Sequence, residues 1–203
     1  MPAAQNEPND IPVYLFTGFL EAGKTKFIQE TMEDKRFNSG EPTLLLLCEE
    51  GEEEYDVSAF PCKDVFLHTI EDQEDFNPEN LKKILKSCGA TRVVLEYNGM
   101  WPMNHLFQNL PDDWAVYQEM FFADAGTFFQ YNANMRSLVV DKLNTCELVV
   151  FNRFEKSMDK MEFHKIVRGV SRRTDIAYEY TDGKVEYDEI EDPLPFDVNA
   201  PVI

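Results

Sequence analysis

The chain has 203 residues, 19 Lys and Arg against 38 Asp and Glu, a formal net charge of −19 and 43% hydrophobic residues. That apolar content excludes a disordered chain, and the acidity excludes nucleic acid or an anionic membrane as partner, because both would be repelled. The length suits one core, and metal ions, basic proteins or a small anion in a local site remain as partners.

In chain order, MPAAQNEPND (residues 1–10) is polar and rich in Pro and Asn. It lacks the apolar run of a signal peptide and is read as a flexible arm. A globular unit is expected over 11–188, followed by an acidic, Pro-rich tail over 189–203. Inside the unit, short apolar runs alternate with helical patterns. The runs are VYLFT, TLLLLC (Thr43 to Cys48), DVFLHT (Asp64 to Thr69), RVVLE (Arg92 to Glu96), YQEMFFAD (Tyr117 to Asp124) and ELVVFN (Glu147 to Asn152). Helices are expected over Asn77 to Ser87, stopping at Cys88-Gly89, and over Ser157 to Ser171, with Ser157 as cap. IAYEYTDGKVEYDEI carries two alternating runs about Asp182-Gly183 and predicts a hairpin or an edge strand. The alternation predicts an α/β fold of three α/β/α layers around a mostly parallel sheet.

GFLEAGKTKF, Gly18 to Phe27, places Gly18, Gly23, Lys24 and Thr25 in the P-loop pattern, between an apolar strand and the helical segment KFIQETM. The backbone from Gly18 through Phe19, Leu20, Glu21 and Ala22 to Gly23 would offer N–H groups to phosphates, with Lys26 in the helix start. Lys24 would reach the outer phosphates, and the Thr25 hydroxyl would ligate Mg²⁺. An acid in such a loop looks misplaced. However, the loop of heterotrimeric G-protein α subunits, G-A-G-E-S-G-K-S, has Glu in the same place, so Glu21 is compatible with nucleotide binding.

Three later stretches follow in the order a GTPase requires. CEEGEEEYD (Cys48 to Asp56) places carboxylates where a switch segment would face metal and γ-phosphate. VVLEYNG ends a strand with Glu96, which can hold a metal-bound water, and Gly99, whose N–H can meet the γ-phosphate. VVFNRFE ends a strand with Asn152, Arg153, Phe154 and Glu155, close to the base-reading pattern Asn-Lys-x-Asp.

Together TGFLEAGKT, CEEGEEEYD, LEYNG and NRFE resemble the CobW/HypB/UreG class of P-loop GTPases, whose motifs run approximately TGFLGxGKT, NEFGExGxD, ExxG and NKxD. FFADAGTFF is similar to that class's VVDAxxF, and the resemblance runs from about Val13 to Tyr187. It implies a GTP-binding protein with slow Mg²⁺-dependent GTPase activity, an accessory factor for a client protein or metallocofactor. Lys24, Glu96 and Gly99 would be catalytic, and Thr25, Glu49 and Glu96 would serve the metal. Asn152, Arg153 and Glu155 would meet the guanine. Arg153 and Glu155 depart from the Lys and Asp of the pattern, and the Gly-Cys-x-Cys-Cys metal motif and C-terminal domain are missing. A metallochaperone or a non-catalytic nucleotide sensor are the alternative functions.

Cys48, Cys62, Cys88 and Cys146 form no Cys-x-x-Cys pair, which suits reduced thiols in a cytoplasmic protein. Glu53 and Glu54 read as solvated, and Phe121, Phe122, Phe128 and Phe129 as core and interface. Trp101, Pro102 and Met103 read as an exposed apolar set open to a protein client. Cys48 to Asp56 and Glu96 to Met103 are expected to become ordered with GTP and Mg²⁺.

Overall fold

A computed structural model describes residues 10–48 and 54–190. Of the expected arm and tail, only Asp10, Glu189 and Ile190 fall within that range. The strands are β1 (Ile11–Gly18), β2 (Thr43–Leu47), β3 (Val65–Thr69), β4 (Arg92–Glu96), β5 (Trp114–Asp124), β6 (Leu148–Phe154), β7 (Asp175–Tyr180) and β8 (Val185–Tyr187). The helices are α1 (Lys24–Glu33), α2 (Pro78–Cys88), α3 (Met103–Asn109), α4 (Phe128–Asn134), α5 (Arg136–Thr145) and α6 (Lys160–Arg168).

The eight strands make one sheet in the order β3-β2-β4-β1-β5-β6-β7-β8, parallel except at the last pair. Central strands of such a sheet are buried on both faces, which is why TLLLL is a continuous apolar run. On one face Val13, Leu15, Val93 and Leu95 pack with Leu81 and Ile84 of α2 and Met103 and Leu106 of α3. The same face continues over Phe121, Phe151 and Tyr178, covered by α4, α5 and α6 through Phe128, Val139, Leu143, Phe163 and Val167. On the other face Phe16, Leu45, Val94, Phe122 and Val150 meet Ile28 and Met32 of α1, with Phe60 beside them. Among the described residues, five helices thus cover one face and α1 the other.

Local chemistry sets the boundaries. Asn77 caps α2 by accepting from the Asn80 N–H at 3.0 Å, with Pro78 in the first turn and left-handed Gly89 at the end. The expected Ser157 cap is incorrect. The chain turns after β6 through a Met158 N–H to Glu155 carbonyl bond of 3.0 Å. The start of α6 then falls to Asp159, whose carboxylate accepts from Met161 N–H at 2.9 Å. β5 begins at Trp114, ahead of the expected Tyr117.

β7 and β8 form the expected hairpin, closed by Tyr180 N–H to the Lys184 carbonyl at 2.8 Å and Gly183 N–H to the Tyr180 carbonyl at 2.9 Å. Just after β8, the Asp188 carboxylate lies 2.6 Å from His164 Nδ1 of α6, with side chains 1% and 5% exposed. The Tyr178 hydroxyl donates to the same carboxylate at 3.3 Å.

Two buried polar groups generate predictions. Glu119 of β5 is 4% exposed and accepts from the Thr145 hydroxyl at 2.6 Å. Burial pushes its carboxyl up to about 7 from an ordinary 4.5. Because the fold holds this proton to higher pH than the unfolded chain does, Glu119 lowers stability as pH rises between those values. Glu119→Gln should therefore gain about 2 kcal/mol relative to the parent between pH 5 and pH 7.5. Urea melts of both proteins at the two pH values measure this, and parallel pH dependences would contradict it. Asp188→Ala removes the anchor between the hairpin and α6 and should cost about 3 kcal/mol in the same melts. A loss under 1 kcal/mol would show that the hairpin end contributes little.

Candidate functional site

β1 ends at Gly18, and six residues later α1 starts at Lys24 with Gly23 as its N-cap. Gly23 is required twice over. Its φ of +92° is left-handed, and a Cβ there would fall 2.1 Å from Asn152 Nδ2. Lys24 is 3% exposed, and its ammonium donates to the carbonyls of Gly18 (2.9 Å) and Phe19 (2.8 Å). The cation is thus folded into its own loop. Apolar contacts fix the loop from below, since the Phe19 ring stacks on Tyr131 at 4.2 Å and meets Phe121 edge-on. Ala22 is buried, whereas Leu20 and Glu21 face solvent. Lys26 is exposed and lies 3.9 Å from Glu30.

Register brings the second component to this loop. β1 and β4 are adjacent and parallel with Phe16 opposite Glu96, so both strands release their chains at one edge of the sheet. Glu96 is 4% exposed, and its Oε1 accepts from the Thr25 hydroxyl at 3.0 Å. Its Oε2 accepts from the Tyr55 hydroxyl, and its backbone carbonyl accepts from Cys48 N–H at 2.8 Å. Gly99 follows so closely over the P-loop that a Cβ would fall 2.3 Å from the Gly18 carbonyl oxygen and 2.8 Å from Phe19 Cα. The hydroxyl of Thr25 and the carboxylate of Glu96 are hard oxygen donors at one point, a set that suits Mg²⁺. Glu49, expected to join them, lies outside the described residues, as do Glu52 and Glu53.

The base-side motif also reaches the loop. Asn152, 8% exposed at the end of β6, donates its amide to the Ala22 carbonyl at 3.3 Å and accepts from Arg153 N–H at 2.7 Å. Arg153 donates to Asp124 at 2.5 Å and to the Glu21 carbonyl. Both Glu21 (φ 58°) and Arg153 (φ 54°) are left-handed, so two strained residues hold one another. Glu155 stands one residue beyond β6, exposed, accepting from the Ser157 hydroxyl at 3.3 Å.

The segment after Glu96 corrects an expectation. Trp101 and Met103 are 9% and 1% exposed, so they are core rather than an open apolar set. Trp101 packs edge-on against Phe76 and Tyr97. Lys142, fully buried on α5, donates to the Trp101 carbonyl at 3.3 Å, and neighbouring Asp141 accepts from Met103 N–H at 2.7 Å. Pro102 is exposed as expected, and Met100, 52% exposed, stands outside with it. Of the phenylalanines, Phe121, Phe122 and Phe128 are core, and Phe129 is 36% exposed. Cys48 and Cys146 are buried, and Cys62 and Cys88 half-buried.

Sequence reasoning missed Tyr55, Asp124 and Tyr131. Tyr55 is the aromatic in an otherwise acidic segment, the one signal that could have singled it out. Asp124 lies in the stretch FFADAGTFF, but nothing local pairs it with Arg153. Among the described residues no group of three or more His, Cys, Asp or Glu is disposed to hold a metal ion. No described helix is long and apolar enough to cross a membrane.

No protein-family model matches the sequence, and no curated protein matches it. Solved structures do match the fold. The Zn(II)-bound YjiA GTPase of E. coli aligns with TM-score 0.59 and 18% identity over 83% of this chain and 57% of that one. The hydrogenase maturation factor HypB of Archaeoglobus fulgidus aligns with TM-score 0.59 and 12% identity over 86% and 83%. The 54 kDa signal recognition particle protein of Aeropyrum pernix K1, in complex with GDP, gives 0.51 and 12% over 91% and 45%. The chain therefore spans little more than half of YjiA but most of HypB. With its eight-stranded, mostly parallel sheet, it has the three-layer α/β/α fold of the YjiA and HypB structures.

Proposed function

We propose that this chain binds GTP with Mg²⁺, hydrolyses it slowly, and serves in the cytoplasm as a nucleotide-dependent accessory factor for a protein client or metallocofactor. Residues 11–188 are the nucleotide-binding unit in this reading, with the arm and tail outside it. The observation that carries the proposal is the meeting of Lys24, Thr25, Glu96 and Gly99 at the joint edge of β1 and β4.

Phosphates entering the loop would draw the Lys24 ammonium from the Gly18 and Phe19 carbonyls, exchanging neutral acceptors for charged ones. The start of α1 adds N–H groups and a favourable dipole. Thr25 and Glu96 would hold Mg²⁺, which when bound neutralises charge on the phosphates. Asn152 ties the turn after β6 to the loop, and in this reading Glu155 would accept from guanine N–H donors. Slow turnover is inferred from the sequence, to which neither an arginine finger nor a water-positioning glutamine is assigned. Intrinsic GTPases without an arginine finger or a water-positioning glutamine turn over at roughly 10⁻² to 10⁻⁴ per second.

Calorimetry with GTP, GDP and ATP tests the assignment. Lys24→Ala should weaken GTP binding by at least about tenfold, the loss of one charge-assisted contact. Glu155→Ala should narrow the preference for GTP over ATP. Unchanged GTP affinity in both variants would overturn the site. Tight binding by the parent with no phosphate released over hours would make the protein a nucleotide sensor instead.

A further inference from the structure

The Tyr55 hydroxyl holds one oxygen of the carboxylate that, under the proposed function, serves the metal. Glu96 divides its oxygens between Thr25 on Oε1 and Tyr55 on Oε2. Tyr55 approaches from the metal side, as α1 shows. Gln29 lies four residues after Thr25, on the same helix face. Its side chain grips Asp56 in both directions, accepting from the Asp56 N–H at 3.1 Å and donating to the Asp56 carbonyl at 3.2 Å. The backbone beside Tyr55 is therefore laid along the face of α1 that carries Thr25, and the phenol reaches Glu96 from there.

We propose that Tyr55 is a latch on the metal-binding carboxylate: its hydroxyl competes with Mg²⁺ and its bound water for Glu96 Oε2 and is displaced when magnesium and nucleotide bind together. A neutral phenol on a carboxylate is a charge-assisted bond, yet a water polarised by Mg²⁺ is the stronger donor, so the exchange proceeds at a cost in metal affinity. The grip of Gln29 on Asp56 is separate from Glu96. It keeps the phenol near, so the latch re-forms when the metal leaves. The motif that the sequence resembles leaves this position unspecified, as the x in GxD.

The inference rests on the proposed nucleotide site, and the test separates the two. Protein loaded in EDTA with a fluorescent N-methylanthraniloyl GTP is titrated with Mg²⁺. Tyr55→Phe should lower the half-saturating Mg²⁺ about tenfold, the effect of losing one hydrogen bond to a charged group. Affinity for the nucleotide in EDTA should match the parent. Gln29→Ala should shift Mg²⁺ the same way and add little to Tyr55→Phe, because both act through one contact. Against the ordering of Cys48 to Asp56 expected from the sequence, Mg²⁺ added to the loaded parent should speed amide exchange over residues 54–60, and in Tyr55→Phe it should not. An unchanged or raised half-saturating Mg²⁺ in Tyr55→Phe, with nucleotide still bound in EDTA, would overturn the latch alone. A parent protein that binds no nucleotide in EDTA or Mg²⁺ would overturn the site on which it stands.

Discussion

The register between β1 and β4 is the constraint on which the site depends. Because Phe16 stands opposite Glu96, the carboxylate is delivered where α1 begins, and Gly99 crosses the loop backbone at contact distance. A slip of one residue would send Glu96 to the opposite face of the sheet and replace it with an apolar neighbour. The slip is opposed by Val13, Leu15, Val93 and Leu95 on one face and Phe16 and Val94 on the other, all buried. Core packing and the placement of chemistry are therefore one property of these strands.

The same economy explains the acidic residue in the loop between β1 and α1. Glu21 occupies a left-handed conformation that a glycine adopts freely and that costs another residue about 1–2 kcal/mol. In the motif that the chain resembles, that position is glycine. Here the cost is offset by Arg153, itself left-handed, whose guanidinium ties the Glu21 carbonyl to Asp124. The exposed carboxylate is free to point to solvent while the backbone carbonyl does the structural work. A lysine at position 153 would bring all its donors on one nitrogen, without the planar fork by which Arg153 turns one nitrogen to Asp124 and another to the Glu21 carbonyl.

How much of this was legible in the sequence depended on distance along the chain. The turn from β1 into α1 could be read because its glycines and flanking patterns lie within a few consecutive residues. The strands could be read because double burial leaves continuous apolar runs, and the hairpin because Asp182-Gly183 imposes its turn. Trp101 was misjudged because a Trp-Pro-Met sequence after a glycine looks like an exposed loop. What buries it are Phe76 and the polar arms of α5, which local composition does not reveal. Tyr55 with Glu96 and Arg153 with Glu21 are separated by 41 and 132 residues. Such contacts follow from topology, and no short pattern encodes them.

The uneven covering of the sheet bears on where movement is cheap. α2 to α6 share one face and bury each other's edges, so shifting any of them exposes apolar surface on several neighbours. The opposite face carries α1 and the segment from Tyr55 to Phe60, joined to α1 by the Gln29 amide and to Glu96 by one phenol. Phe60, 1% exposed, fixes the far end of that segment, while Asp56, Ser58 and Ala59 are exposed. Tyr55 and Val57 pack half-buried against the same core, and solvent-facing hydrogen bonds of Asp56 and Ser58 hold the turn between them. The helix that would bear the phosphates thus lies against a segment held partly by exposed hydrogen bonds, which open more cheaply than buried packing, and Glu96 accepts from both of them.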